Sequence, residues 1–193
     1  TTGLTALEEF HHRVDRLVIM NAGLPPHNSL ADIARMNKAK LAKNLSGLLM
    51  WKAATKAAGQ RLPVGKLFRA SCPKISKLEM AGYDAPFPDQ RYKAGVAWWP
   101  QKVPLTDSGE VAAATRRAKV FLSTWQRPAF VLFSDGCPVS SSLYDYFLDL
   151  VPGTSLYPPN IIKGAGHFLQ EDAGEEISEK IVEFVQATKA SHD

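Results

Sequence analysis

His167 stands in the run Gly164-Ala165-Gly166-His167-Phe168-Leu169-Gln170. The run follows an apolar pair, Ile161-Ile162, and leads through Glu171-Asp172 into a helical pattern. The imidazole is therefore expected on the loop between a strand and the last helix. Its ordinary pKa suits it to proton transfer near neutral pH, as a general base or acid. The small residues ahead of it let the backbone approach a partner closely. A second loop, Ser134-Asp135-Gly136-Cys137-Pro138, follows the apolar run Ala129-Phe130-Val131-Leu132-Phe133 and brings a carboxylate and a thiol. A third, Asn21-Ala22-Gly23-Leu24-Pro25-Pro26, follows Leu17-Val18-Ile19-Met20. Loops leaving the carboxyl ends of parallel strands are where α/β proteins keep their chemistry.

The elements that position these loops follow from periodicity. Residues 5–14 read as a helix, with Leu4, Leu7 and Phe10 three apart. The runs at 17–20, 129–133 and 160–162 read as strands of a parallel sheet, the first two continuous enough to be buried on both faces. No strand precedes the first helix, so the chain is expected to begin part-way through an α/β repeat. Residues 29–58 are helical, with Ser29 and Asp32 as a capping box, a break near 44–47 and Gly59 as the stop. Residues 60–73 read as irregular and 75–81 as a short helix. A helix at 109–125 is expected to bury Val111, Ala114, Ala118, Phe121 and Leu122, and another spans 142–150. The last begins at Asp172 with Glu175 as a second capping box, burying Ile177, Ile181, Phe184 and Val185. The fold class is thus α/β, a mostly parallel sheet flanked by helices. A strand-free helical insertion divides the chain into residues 1–24, 25–105 and 106–193.

Composition sets bounds. With 45% hydrophobic and 22% charged residues the chain is ordinary globular protein. Its apolar runs fall far short of the roughly 20 residues of a membrane span, so no membrane partner is expected. The net charge of +4 is spread. Lys38, Lys40, Lys43, Lys52 and Lys56 alternate with alanines as a solvated helix face, without the aromatic interleaving of single-strand binders, so no nucleic-acid partner is expected. Two distant cysteines, Cys72 and Cys137, imply no disulfide framework and a reducing, cytoplasmic setting. No cofactor or metal is expected.

Three blocks, in this order, resemble the haloalkane dehalogenase type of α/β-hydrolase. They are Leu17-Val18-Ile19-Met20-Asn21-Ala22, then Tyr83-Asp84-Ala85-Pro86-Phe87-Pro88-Asp89 with Tyr92-Lys93-Ala94-Gly95-Val96, and Gly164 to Glu171. The first and last would also fit epoxide hydrolases; the Ala-Pro-Phe-Pro-Asp block is the specific one. The resemblance implies the C-terminal two thirds of that fold, with residues 25–105 as a helical cap. It implies an aspartate that displaces halide to form an alkyl-enzyme ester, and a histidine, here His167, that activates water to cleave it. It also implies a small apolar halogenated substrate and a halide ion held by indole N–H groups, with Trp51 matching a halide-binding tryptophan and Trp99, ahead of Pro100, matching a cap aromatic that lines the pocket.

The chain departs from that pattern twice. The attacking aspartate is expected a few residues ahead of Thr1, so the chain is expected to lack it. The acid that orients the histidine is expected after one of two strands, where this chain has Asn21 and Cys137. Asp135 is the candidate substitute acid. A Cys137 nucleophile with His167 as base is disfavoured, because the resemblance points the acid loop away from the substrate. The alternatives are an epoxide-hydrolase-like enzyme and a non-catalytic relative or binding protein. A sheet of about three strands is expected to expose apolar edges and self-associate through them.

Overall fold

The computed structural model describes residues 2–25, 29–72 and 74–189. Pro26 and Pro73, placed in loops by the sequence, lie outside the described residues. In chain order the elements are α1 (Thr2–Phe10), β1 (Leu17–Met20), α2 (Leu30–Ala34), α3 (Lys38–Ala58), α4 (Val64–Ser71), α5 (Lys77–Asp84) and α6 (Ala94–Lys102). They continue with α7 (Glu110–Leu122), β2 (Ala129–Ser134), α8 (Leu143–Leu150), β3 (Asn160–Ile162), α9 (Leu169–Asp172) and α10 (Gly174–Ala187). The three strands form one parallel sheet in the order β1-β2-β3, with Met20 beside Leu132 and Ser134 beside Ile162.

Strand geometry sends alternate side chains to opposite faces, and the core divides accordingly. Leu17 and Ile19 of β1, with Ala129, Val131 and Phe133 of β2, pack against Leu7 of α1, Ala118 and Leu122 of α7, and Leu143 and Phe147 of α8. Phe130 and Leu132 point the other way, onto Ile162 of β3, Leu169 of α9, and Ile177 and Phe184 of α10. Every residue of β2 is buried, which is why its sequence runs apolar without alternation. The result is an α/β sandwich with helices on both faces and α2 to α6 inserted between β1 and the helix that precedes β2. No helix among the described residues is long and apolar enough to cross a membrane.

Several helices depart from their expected course, each for a local reason. The helix expected at 5–14 ends at Phe10 and tightens into a 3₁₀ turn over His11–Arg13. The break in the long helical stretch falls at 35–37, not 44–47, because Asn37 caps a new helix by accepting from Lys40 N. The buried face of α3 carries Asn44 and Thr55, which leaves Leu45 and Leu49 exposed. Ser29 Oγ accepts from Asp32 N as expected, while the Asp32 carboxylate reaches Lys119 Nζ at 2.8 Å and clamps α2 to α7. Burial opposes charge on Asp32, yet the Lys119 bond and charge prevail and hold its carboxyl below the usual range.

Residues 64–71, expected to be irregular, form α4. Gly65 near its start weakens the helical signal, but a Cβ there would stand 2.6 Å from Met80 O, so the glycine lets α4 and α5 close together. α5 starts later than expected, behind a capping box of Ser76 and Glu79. On α7 the buried face is Ala112, Thr115, Ala118 and Leu122, while Val111 is exposed. Lys52 is not on a solvated face: its Nζ donates to Pro100 O, Gln101 O and Val103 O at 2.8–3.2 Å, closing the end of α6. Asp172 does not cap the final helix. α9 ends there, and α10 begins at Gly174 with Val185 exposed.

Candidate active site

The carboxyl ends of the three strands lie side by side, and the loops they release meet around Asn21. This residue follows β1 directly and adopts a left-handed backbone, φ 37°, a conformation asparagine tolerates better than most. Its buried amide lies within hydrogen-bond distance of the end of β2 and of the loop that follows β3. Nδ2 approaches Ser134 Oγ at 2.8 Å, Gly166 O at 3.2 Å and His167 O at 2.8 Å, and Oδ1 accepts from Ser134 N at 3.0 Å. Ser134 Oγ itself donates to Gly166 O at 2.6 Å. The position where the resemblance sought an acid therefore holds a cross-link, and an amide suits it because it both donates and accepts.

The β2 and β3 loops are also joined directly. Gly136 N donates to Ala165 O at 3.1 Å, and a Cβ on Gly136 would sit 2.6 Å from that oxygen. Asp135 Oδ1 accepts from Gly164 N at 2.9 Å, and its other oxygen lies 4.0 Å from Lys163 Nζ. Asp135 makes no hydrogen bond to the imidazole; it stabilises the turn at Gly164 instead. The Asp135 expectation is corrected to that extent: the side chain two residues on, Cys137, is the one turned toward the ring.

His167 is held from every side. Its N–H donates to Ser71 O at the end of α4, 2.9 Å away. Its carbonyl accepts from Asn21. Its ring packs edge-on against Phe168, with centroids 4.9 Å apart. Nδ1 lies 3.0 Å from Cys137 Sγ, which in turn lies 3.0 Å from Ser140 Oγ. Cys137 is 1% exposed, a thiol sealed behind the ring. Burial pulls the imidazole pKa below its ordinary 6.5, so the ring is neutral at neutral pH and able to accept a proton.

The inserted helices reach this loop through an aromatic stack. Phe68 of α4 lies between Tyr83 of α5 and Phe168, with centroids 3.6 and 4.5 Å away. Tyr83 donates its hydroxyl to Glu171 Oε1 at 2.6 Å, a bond that with burial pushes its pKa up to about 12. Asp172 bridges the same boundary, accepting from Lys74 N at 3.0 Å and Gly166 N at 2.7 Å. Burial, reinforced by the Asp172 and Glu171 carboxylates, pushes the nearby Cys72 thiol up to about 11. On the other loop, Asn44 of α3 donates to Pro138 O at 2.8 Å and accepts from Ser142 N at 2.7 Å. Trp51 and Trp99 lie on α3 and α6, two helices tied together by Lys52 and Gln101. Trp51 is 39% exposed and Trp99 71%. Among the described residues no group of three or more His, Cys, Asp or Glu side chains is placed to hold a metal ion.

Ser140 and Phe68 join the site without a sequence signal, and Ser134 and Asp172, read in the sequence only as a loop residue and a helix start, join it through Gly166. The Tyr83 block did carry one, in the resemblance. No protein-family model matches the chain. The haloalkane dehalogenase of Mycobacterium marinum is 32% identical over 181 residues, 93% of this chain and 56% of that protein. The Psychrobacter cryohalolentis haloalkane dehalogenase is 33% identical over 139 residues, 72% of this chain and 46% of its own length. The fold agrees: the tetrameric haloalkane dehalogenase of Paraglaciecola agarilytica superposes with a TM-score of 0.75 at 24% identity, over 92% of this chain and 55% of that one. The chain is a haloalkane dehalogenase-like α/β-hydrolase in sequence and fold. It spans about half the length of the curated relatives it matches. In this dehalogenase-like chain the strand ends, the inserted helices and the histidine loop are joined by these contacts.

Two outcomes follow for its stability. Asn21→Asp would replace a donor with a carboxylate facing the carbonyls of Gly166 and His167. It should destabilise the chain by at least about 2 kcal/mol, more at pH 7 than at pH 4, because such a carboxyl is easier to bury protonated; urea unfolding at the two pH values measures this. His167 itself makes stability pH-dependent. Its folded pKa lies below its unfolded value of 6.5, so the unfolded state binds more protons between the two. The contribution is complete above 6.5 and is lost as pH falls below it. Urea midpoints should drop from pH 7.5 to 5, and His167→Gln should flatten that slope.

Proposed function

We propose that this chain supplies the base, and the scaffold around it, of a hydrolase that cleaves carbon–halogen bonds. The observation that carries the reading is His167: a neutral, half-buried imidazole at the carboxyl ends of three adjacent parallel strands, its Nδ1 engaged by Cys137. The names of the relatives agree with it. In this reading an aspartate oxygen displaces halide from carbon, the carbon–halogen bond breaks, and the halide leaves with the bonding pair. Water then gives a proton to His167 Nε2 and attacks the ester carbonyl, which releases the alcohol. In this reading the attacking aspartate comes from outside these residues.

The substrate class is a small apolar haloalkane. Residues 25–105 act as the cap over it, with 1–24 and 106–193 as the core. In this reading Trp51 donates to the halide and Trp99 lines the substrate pocket. At their present exposures they would need covering, since an ion pairs weakly with a donor in open water. The two free thiols suit a reducing cytoplasm.

The test is halide release from short chloro- and bromoalkanes by this chain and by a form extended upstream to include an aspartate. The extended form should release halide, and Cys137→Asp should raise its rate about tenfold or more, because a carboxylate stabilises the imidazolium that forms. No release from a well-folded extended protein defeats the reading. Cys137 also favours a second reading, a non-catalytic relative, which gains support if Cys137→Asp brings no activity.

The chain also has a path to self-association. β1 has no neighbour on its outer side among the described residues, and an unpaired strand edge is a template for another strand. Sedimentation of the chain alone should show concentration-dependent association. A clean monomer at all concentrations would count against it.

A further inference from the structure

The contacts around Cys137 fix more than the position of the ring; they fix where its proton lies. Ser140 Oγ is 3.0 Å from the backbone oxygen of Asn21. A carbonyl oxygen only accepts, so the single hydroxyl proton of Ser140 points there. Ser140 Oγ then offers only lone pairs to Cys137 Sγ, 3.0 Å away on its other side. The single proton of the thiol therefore points at Ser140. Sγ in turn offers only lone pairs to His167 Nδ1, also at 3.0 Å. Nδ1 must carry a hydrogen for that contact to be a bond. A neutral imidazole has one N–H, so Nε2 is left as the lone pair. The opposite direction leaves two lone pairs facing each other between Sγ and Oγ, or strips the carbonyl of Asn21, a buried residue, of its donor.

We infer that Ser140 and Cys137 are positioning residues: a one-way chain of hydrogen bonds, His167 to Cys137 to Ser140 to the Asn21 carbonyl, locks the imidazole in the tautomer whose Nε2 can accept a proton from water. A lone thiol could not do this, because it donates to Nδ1 as readily as it accepts. That donation would put the ring proton on Nε2 and disable the base. Ser140 removes the choice by claiming the thiol proton. The work that a carboxylate does as a pure acceptor is thus done by two groups in series, without the negative charge. The inference rests on reading His167 as the base.

The experiment is ¹⁵N NMR of the ring nitrogens in the full chain, labelled at histidine, at a pH where the ring is neutral. The unaltered chain should show a protonated Nδ1 and a bare Nε2. In Ser140→Ala the thiol loses its acceptor and is free to donate to the ring, so a substantial share of the ring proton should move to Nε2. Ser140→Thr should restore the original pattern, and Cys137→Asp should keep it with or without Ser140. Should Ser140→Ala not fold, Ser140→Cys, a weaker acceptor, should give a mixture of the two tautomers. A protonated Nε2 in the unaltered chain overturns the proposal, as does a bare Nε2 that persists undiminished in Ser140→Ala or Ser140→Cys. The reading is spectroscopic and needs no turnover, so failure to release halide would sink the hydrolase proposal and leave this one standing or falling alone. In the active, extended form, Ser140→Ala should lower kcat about tenfold with KM little changed.

Discussion

The amide of Asn21 is the contact on which the site depends. Three parallel strands end beside one another, and their ends carry backbone groups that no ladder satisfies. One side chain answers several of them at once, donating toward the carbonyls of Gly166 and His167 and accepting from Ser134 N. Each such bond is worth about 1 kcal/mol net, but leaving the same groups buried and unpaired costs more. The geometry also demands a left-handed turn immediately after β1, which asparagine adopts readily. The histidine loop is therefore pinned by its main chain before its ring meets any partner.

Around that pin the inserted helices act as a frame. The Tyr83, Phe68 and Phe168 rings stack from α5 through α4 to the residue next to the imidazole. Ser71 O holds the His167 N–H, and Asn44 holds the Cys137 loop from the opposite side. Two parts of the insertion thus grip two loops of the sheet. The stack joins the insertion to the residue beside the imidazole. Phe168 packs edge-on against the His167 ring, whose Nδ1 edge faces the sealed thiol.

The site trades charge for proton order. A carboxylate behind a histidine orients it and stabilises the imidazolium that forms during proton transfer. A neutral thiol and hydroxyl in series orient it and stabilise that charge poorly. Burial, which already lowers the imidazole pKa, works in the same direction. The arrangement is consistent with a ring that is a correctly directed but weak base, and it accounts for both readings of the chain, catalytic and not, from one set of contacts.

The strands, the two-faced core and the placement of His167, Cys137 and Asn21 on neighbouring loops were legible in the sequence, because buried parallel strands are continuous apolar runs and the loops follow them in order. The resemblance carried the Tyr83 block and the histidine motif, and relatives and fold agree with it. What the sequence could not carry was direction. Asp135 and Cys137 are two residues apart on one turn, and only the tertiary structure decides that the thiol faces the ring while the carboxylate caps Gly164. α4 was hidden because Gly65 near its start weakens the helical signal, and the need for that glycine appears only where α4 meets α5. Lys52 and Asp32 read as solvated or capping residues until distant partners, the end of α6 and Lys119, were brought to them. Local pattern sets which elements form; contacts between residues a hundred positions apart set which atoms meet, and no short window of sequence contains both partners.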